Sequence, residues 1–106
     1  MTDTIAIFTT TATEDDARRI AGALVERRLA ACVQVSAIES FYAWEGEVRQ
    51  EPEFRLMAKT TRGRYADVEA AIQEQHSYDL PAIYALPMSH VFEPYADWVA
   101  ANSAGQ

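Results

Sequence analysis

The chain has 106 residues, nearly half of them apolar, and its 16 acidic and 9 basic residues give a formal net charge of −7. This length predicts one domain, residues 1–106, around one hydrophobic core. The acidic balance argues against nucleic acid and against an acidic membrane surface as partners, because both favour a basic face.

A single cysteine, Cys32, excludes a disulfide within the chain and any CxxC metal or redox motif. The first residues lack a basic segment followed by a long apolar one, which argues against a signal peptide. No apolar run approaches the roughly 20 residues that a membrane span needs. We therefore expect a cytoplasmic protein with no membrane partner.

The first third of the chain predicts a strand and an amphipathic helix. Residues Thr4 to Thr10 are β-rich. Thr13 is suited to cap a helix, and the acids that follow it suit the positive end of the helix dipole. Apolar residues then recur at three- and four-residue spacing, which predicts a helix over about 14–30. Its four arginines are interpreted as a solvated face rather than a phosphate site.

The central part of the chain predicts a long β-hairpin. Ala31 to Trp44 and much of Val48 to Thr60 are β-rich, and Glu45-Gly46 between them suits a tight hairpin turn, whose type the sequence does not specify. Pro52 cannot donate a ladder hydrogen bond and indicates a bulge or an edge position. Alternation places one set of side chains on the face opposite Phe54, Leu56 and Ala58: Glu53, Arg55, Met57 and Lys59.

The last third predicts a helix over about 64–75, a loop over 77–81 and a strand over Ala82 to Met88. Glu93-Pro94 opens a short final helix, since proline is favoured in a first helical turn. The polar tail, 102–106, is expected to fray.

This order, β-α-β-β-α-β with an extra C-terminal helix, predicts an α+β, ferredoxin-like fold. We expect an antiparallel four-stranded sheet with two helices on one face and no helix on the other. We also expect Glu53, Arg55 and Lys59 to be close enough for ion pairing.

The hairpin is too long for the domain. About 12 residues per arm at ~3.3 Å each give about 40 Å, against a domain diameter of about 33 Å. The aromatic tip with Phe41, Tyr42 and Trp44 should therefore overhang, and such a surface is normally covered. We predict a homo-oligomer; a bend at Pro52 that folds the tip back on its own chain is the alternative.

The chain resembles the CutA family of divalent-cation tolerance proteins. The pattern L-x-E-x-x-L-A-A-C occupies Leu24 to Cys32, and S-x-Y-x-W-x-G occupies Ser40 to Gly46. Further matches run in order along the chain: Glu51, Glu53, Lys59-Thr60-Thr61, His76, Tyr78, Pro81, Tyr95 and Trp98. The resemblance implies a trimer similar in architecture to the signalling protein PII. It also implies a role in divalent metal tolerance, most directly for copper, by binding rather than catalysis.

Metal binding has three candidate ligands, His76, His90 and Cys32, because imidazole and thiolate suit copper or zinc. The two histidines are 14 residues apart and form no HxxxH or HxH motif. Cys32 has an alternative interpretation as a small buried hydrophobe. Thr9 stands where some family members have a cysteine. No cofactor is required.

The resemblance also places a set of polar and aromatic residues at intersubunit clefts or interfaces: Tyr42, Trp44, Glu51, Glu53, Lys59, Tyr78 and Trp98. These residues could hold a small anionic ligand, as in a PII-like sensor, or stabilise a trimeric scaffold for a protein partner. Catalysis is not expected, because a Cys32–His76 pair would lack a third orienting residue and no Gly-rich phosphate loop is present.

Overall fold

The computed structural model describes residues 3–105, which form four strands and three α-helices in an α+β arrangement. In chain order these are β1 (Thr4–Thr11), α1 (Glu14–Glu26), β2 (Cys32–Trp44), β3 (Glu47–Thr61), α2 (Tyr65–Gln75), β4 (Ile83–Pro87) and α3 (Glu93–Asn102). A 3₁₀ turn at 62–64 leads into α2. Within the described range, no helix has the length and apolarity needed to cross a membrane.

The strands form one antiparallel sheet in the order β2-β3-β1-β4, which confirms the predicted ferredoxin-like fold. One face of this sheet packs on α1 and α2. The buried core residues are at most 7 % exposed. Along the strands, every second residue faces this core, because side chains of a strand alternate between the two faces of the sheet. The core members include Ile5, Ile7, Ile20, Leu24, Leu56, Ala58, Val68 and Ile72.

Helix α1 begins as predicted but ends earlier. The Thr13 hydroxyl accepts a hydrogen bond from the Asp16 amide at 3.1 Å and caps the first turn. The predicted end near residue 30 is wrong: Arg28 adopts φ 55°, and Leu29 and Ala30 both donate to the Leu24 carbonyl. This turn brings Leu29 and Ala30 into the core. The apolar spacing in the sequence therefore continues beyond the last residue of the helix, which is why the predicted end was too late.

The β2–β3 hairpin pairs without interruption from Cys32↔Lys59 to Trp44↔Glu47. Its two-residue turn has φ 51° at Glu45 and 77° at Gly46, the signature of a type I′ turn. Pro52 faces Glu39 in this regular register, so of the two predicted alternatives, a bulge or an edge position, the bulge is not formed.

Pro52 nevertheless occupies an edge position, as predicted. Strand β1 pairs with β3 no further than Phe54, so residues 47–53 have a neighbour on one side only. The longest dimension is 45 Å, against 27 Å and 21 Å for the other two. The arm therefore overhangs, and its tip is not folded away, because Phe41 and Trp44 are 64 % and 49 % exposed.

The expectation of a helix-free second face is wrong in part. The Lys59 ammonium lies 5.5 Å from the Tyr95 ring centroid, which places α3 against this face at one end of the sheet. Further along, Phe8 and Tyr84 stack at 5.2 Å, and Leu86 is exposed. A partly apolar surface thus remains uncovered there within the single chain.

The tail does not fray through residue 105. Arg28 donates to the Ala101 carbonyl at 2.6 Å, and Arg64 donates to the carbonyls of Ser103 and Ala104 at 3.0 and 2.6 Å. The Gly105 amide donates back to Arg28. Two guanidinium groups thus satisfy the carbonyls at the end of α3, while Gln106, the last residue of the predicted tail, lies outside the described residues.

The turn supplies a matched pair of substitutions. A methyl group added at Gly46 or at Gly22 in α1 meets no atom within 4 Å, but Gly46 alone of the two has positive φ. We expect Gly46→Ala to lower the unfolding free energy by about 1–2 kcal/mol. Gly22→Ala should raise it by about 0.5–1 kcal/mol. Denaturant unfolding at one fixed protein concentration measures both, and equal effects of the two substitutions would contradict the turn assignment.

Candidate functional site

The hairpin arm and the loop over residues 76–82 enclose a cleft of about 660 Å³, here called the arm cleft. The arm contributes Tyr42, Trp44 and Arg49 to its lining, and the loop contributes Tyr78, Asp79 and Leu80. Its size is within the range of small-molecule sites. The overhang creates this cleft, since β1 ends where the arm begins.

Two tyrosine–carboxylate hydrogen bonds organise the arm cleft. The Tyr42 hydroxyl donates to Glu51 and the Tyr78 hydroxyl donates to Glu53, both at 2.7 Å. Burial, followed by the bond to Glu53, raises the pKa of Tyr78 well above its usual value. The bond to Glu51 is the largest cause of a raised pKa at Tyr42. Both phenols therefore remain protonated donors at neutral pH.

His76 holds the loop in place. Its Nε2–H donates to the Thr10 carbonyl at 2.8 Å, and its Nδ1 accepts from the Tyr78 amide at 3.0 Å. A carbonyl can only accept and an amide N–H can only donate, so these partners specify the neutral ring with its proton on Nε2. Ser77 adds a hydrogen bond to Asp16 of α1 at 3.0 Å. The imidazole lone pair is thus used inside the chain.

The three predicted metal ligands lie apart within one chain. His76 bonds to Thr10, whereas His90 follows Met88, whose amide bonds to Thr4 at the other end of β1. Six residues of strand correspond to about 20 Å. Cys32 is half-buried on the edge strand β2, opposite Lys59. Among residues 3–105, no three His, Cys, Asp or Glu side chains are grouped to hold a metal ion, and metal binding by these residues stays a prediction.

The predicted interface residues divide between two places. Tyr42, Trp44, Glu51, Glu53 and Tyr78 are together at the arm. Lys59 and Trp98 are at the opposite end, where Trp98 is 46 % exposed and stacks on Tyr95 at 5.8 Å.

The predicted ion pairing on β3 is not formed. Glu53 accepts from Tyr78, and the guanidinium of Arg55 lies 5.8 Å from the Phe8 ring centroid. Lys59 is six residues from Glu53 along the strand, about 20 Å. Residues that share a face of a long strand need not be neighbours.

Arg49 is a site residue that the sequence analysis missed. It lines the arm cleft opposite Tyr42, and its Nε is buried without a hydrogen-bond partner among the described residues. The sequence did contain a signal for Arg49: it is two residues from Glu51 and four from Glu53, and alternation along a strand puts all three side chains on one face.

Comparisons with known proteins agree with one another. The sequence model of a family described as "CutA1 divalent ion tolerance protein" matches residues 5–102. The divalent-cation tolerance protein CutA of Thermus thermophilus is 40 % identical over 98 residues, covering 92 % of this chain and 95 % of that protein. The CutA protein of Archaeoglobus fulgidus is 37 % identical, covering 88 % and 91 %.

Solved structures are similar across nearly the whole chain. The structure described as the periplasmic divalent cation tolerance protein CutA from Archaeoglobus fulgidus has a TM-score of 0.92 at 34 % identity, covering 94 % of this chain and 98 % of that one. CutA from Synechococcus elongatus has a TM-score of 0.93 at 34 % identity, covering 97 % and 92 %.

The Tyr78–Glu53 bond predicts a pH dependence of stability. The folded-state pKa of Tyr78 lies above the value of about 10 for an unfolded chain, so its contribution is present below pH 10 and decreases as the pH rises further. We expect the unfolding temperature to fall more steeply above about pH 10 in the wild type than in Tyr78→Phe.

Tyr84→Phe is the matched control, because it removes a phenol that makes no hydrogen bond to a described residue. It should retain the wild-type slope. Identical slopes in wild type and Tyr78→Phe would contradict the assignment.

Proposed function

The chain belongs to the CutA1 divalent ion tolerance protein family, and from this premise we propose that it serves divalent-cation tolerance as a homotrimer that binds its ligand without converting it. The titratable groups at the arm cleft are already hydrogen-bonded within the chain, which supports binding rather than catalysis. Tyr42 and Tyr78 are bonded to glutamates, and both His76 nitrogens are occupied. These bonds hold the cleft in shape.

The exposed arm is the observation that carries the assembly proposal. Phe41, Tyr42 and Trp44 are exposed on a hairpin that extends beyond its own sheet, and Phe8 and Tyr84 stack on a part of the sheet that no helix covers. Exposed aromatic side chains on such an extension normally mark an interface. A second copy of the chain is the proposed cover, and three copies follow from the PII-like architecture that the resemblance implies.

Copper(II) is the proposed cation, because imidazole and thiolate ligands suit it. The candidate ligands are His76, His90 and Cys32. Their separation within one chain means that a site would combine residues of different subunits, or would use the exposed His90 with carboxylates across a boundary. We propose no further cofactor.

We propose a cytoplasmic location for this protein. The free thiol of Cys32 fits a reducing compartment. The structure from Archaeoglobus fulgidus is described as periplasmic, so fractionation of cells that express this chain is the appropriate check.

A second candidate function is a sensor for a small anionic or charged molecule. The arm cleft favours it, because this cleft has the volume of a ligand site and contains a cation, Arg49, whose Nε is unpaired among the described residues.

The assembly proposal predicts a mass of about 35 kDa by light scattering, three chains of 11.8 kDa. We expect Trp44→Asp to reduce that mass toward the monomer, because it places a charge on the proposed apolar contact. Val25→Asp is the matched control: Val25 is similarly exposed, 43 % against 49 %, but lies on α1 away from the arm. A wild-type mass near 12 kDa would exclude the trimer.

The copper proposal predicts binding of Cu²⁺ with a Kd below about 100 μM in titration calorimetry. We expect weaker binding of Zn²⁺, following the general order of divalent-metal affinities. His90→Ala, His76→Ala and Cys32→Ser should identify the ligands by at least tenfold losses. Asp15→Asn on α1 serves as a control for nonspecific binding to acidic residues. Absence of Cu²⁺ binding below 100 μM would exclude the site.

A further inference from the structure

The arm cleft contains one cation and one carboxylate that lack partners within residues 3–105. The Arg49 Nε is buried and has no hydrogen-bond acceptor among the residues that the structure describes. Asp79, on the loop side, makes no hydrogen bond or ion pair with a described residue. By contrast, Glu51 and Glu53 each accept a tyrosine hydroxyl. The free polar groups are therefore of opposite charge and belong to opposite walls.

Arg49 calls for an acceptor from outside the chain. A buried guanidinium N–H has lost water and gains nothing until an acceptor replaces it. The planar guanidinium matches a carboxylate through two parallel hydrogen bonds. A carboxylate group is thus the chemical partner that this wall favours.

The other charged groups of the cleft determine which kind of carboxylate ligand fits. Glu53 and Asp79 also line the cleft, so a strongly charged anion would meet repulsion that Arg49 alone does not offset. A ligand with both a carboxylate and an ammonium group balances the two walls, with the ammonium at Asp79.

The apolar part of the lining indicates what the rest of the ligand is. Trp44 and Leu80 are 49 % and 78 % exposed in the single chain. They offer an aromatic and aliphatic surface beside the charged pair. Burial of an apolar side chain against such a surface supplies affinity without further hydrogen bonds.

We infer that the arm cleft binds a free α-amino acid with an apolar or aromatic side chain, held by its carboxylate at Arg49 and by its ammonium at Asp79. This inference rests on the second candidate function, a small-ligand sensor, and names its ligand class. It does not depend on copper binding. Since Arg49 is on the arm and Asp79 on the loop, the ligand would connect the two walls.

Titration calorimetry on the full chain tests the inference, with L-phenylalanine and L-leucine as probes. 3-Phenylpropionate lacks the ammonium group and L-phenylalaninamide lacks the carboxylate, and we expect each to bind at least tenfold more weakly than phenylalanine. Arg49→Gln should abolish binding of phenylalanine and of 3-phenylpropionate. Asp79→Asn should weaken the binding of phenylalanine to about the level of 3-phenylpropionate, and it should not weaken 3-phenylpropionate, because it removes a like charge.

Arg18→Gln is the matched control, because it makes the same substitution on the solvent face of α1 and should leave binding unchanged. Light scattering of every variant separates ligand binding from assembly. A loss of mass in Arg49→Gln would identify Arg49 as a subunit contact and overturn the inference.

The other outcomes are also distinct. Equal binding of 3-phenylpropionate and phenylalanine would overturn the amino-acid inference while the small-anion sensor stands. Absence of binding for all probes would overturn the inference but leave the copper and trimer proposals to their own tests.

Discussion

The uninterrupted pairing of β2 with β3 is the constraint on which the rest of the molecule depends. Strand β3 has 15 residues and β1 has 8, so the ladder on one side of β3 must stop at Phe54 while the ladder on the other side continues to the turn. The unmatched length becomes an arm. It exposes the aromatic tip, leaves an edge where Pro52 is tolerated, and provides one wall of the cleft.

The second wall depends on side-chain hydrogen bonds rather than on regular structure. The loop after α2 is attached through His76 to β1, through Ser77 to α1 and through Tyr78 to the arm. Each bond joins the loop to a different element, so the loop takes its position from all three. This arrangement also explains why His76 has a structural role in the isolated chain. The one ring nitrogen that carries a lone pair already accepts a hydrogen bond from a backbone amide.

The two ends of the sheet therefore differ in character. At one end, α3 packs against Lys59, and the guanidinium groups of Arg28 and Arg64 bond to carbonyls in the last turn of α3 and just after it. At the other end, the arm leaves aromatic side chains and a partly unsatisfied Arg49 open to a ligand or a second subunit.

The sequence by itself determined the element order, the fold class and the overhang of the hairpin, because periodicity, turn residues and strand length are local properties of the chain. Pairings between distant residues were decided only by the tertiary structure. Helix α1 ended early because Leu29 and Ala30 turn into the core, and the tail is ordered because Arg28 and Arg64 reach its carbonyls. The separation of His76 from His90, and the lack of an acceptor for the Arg49 Nε among residues 3–105, likewise depend on register and loop placement, which no local pattern specifies.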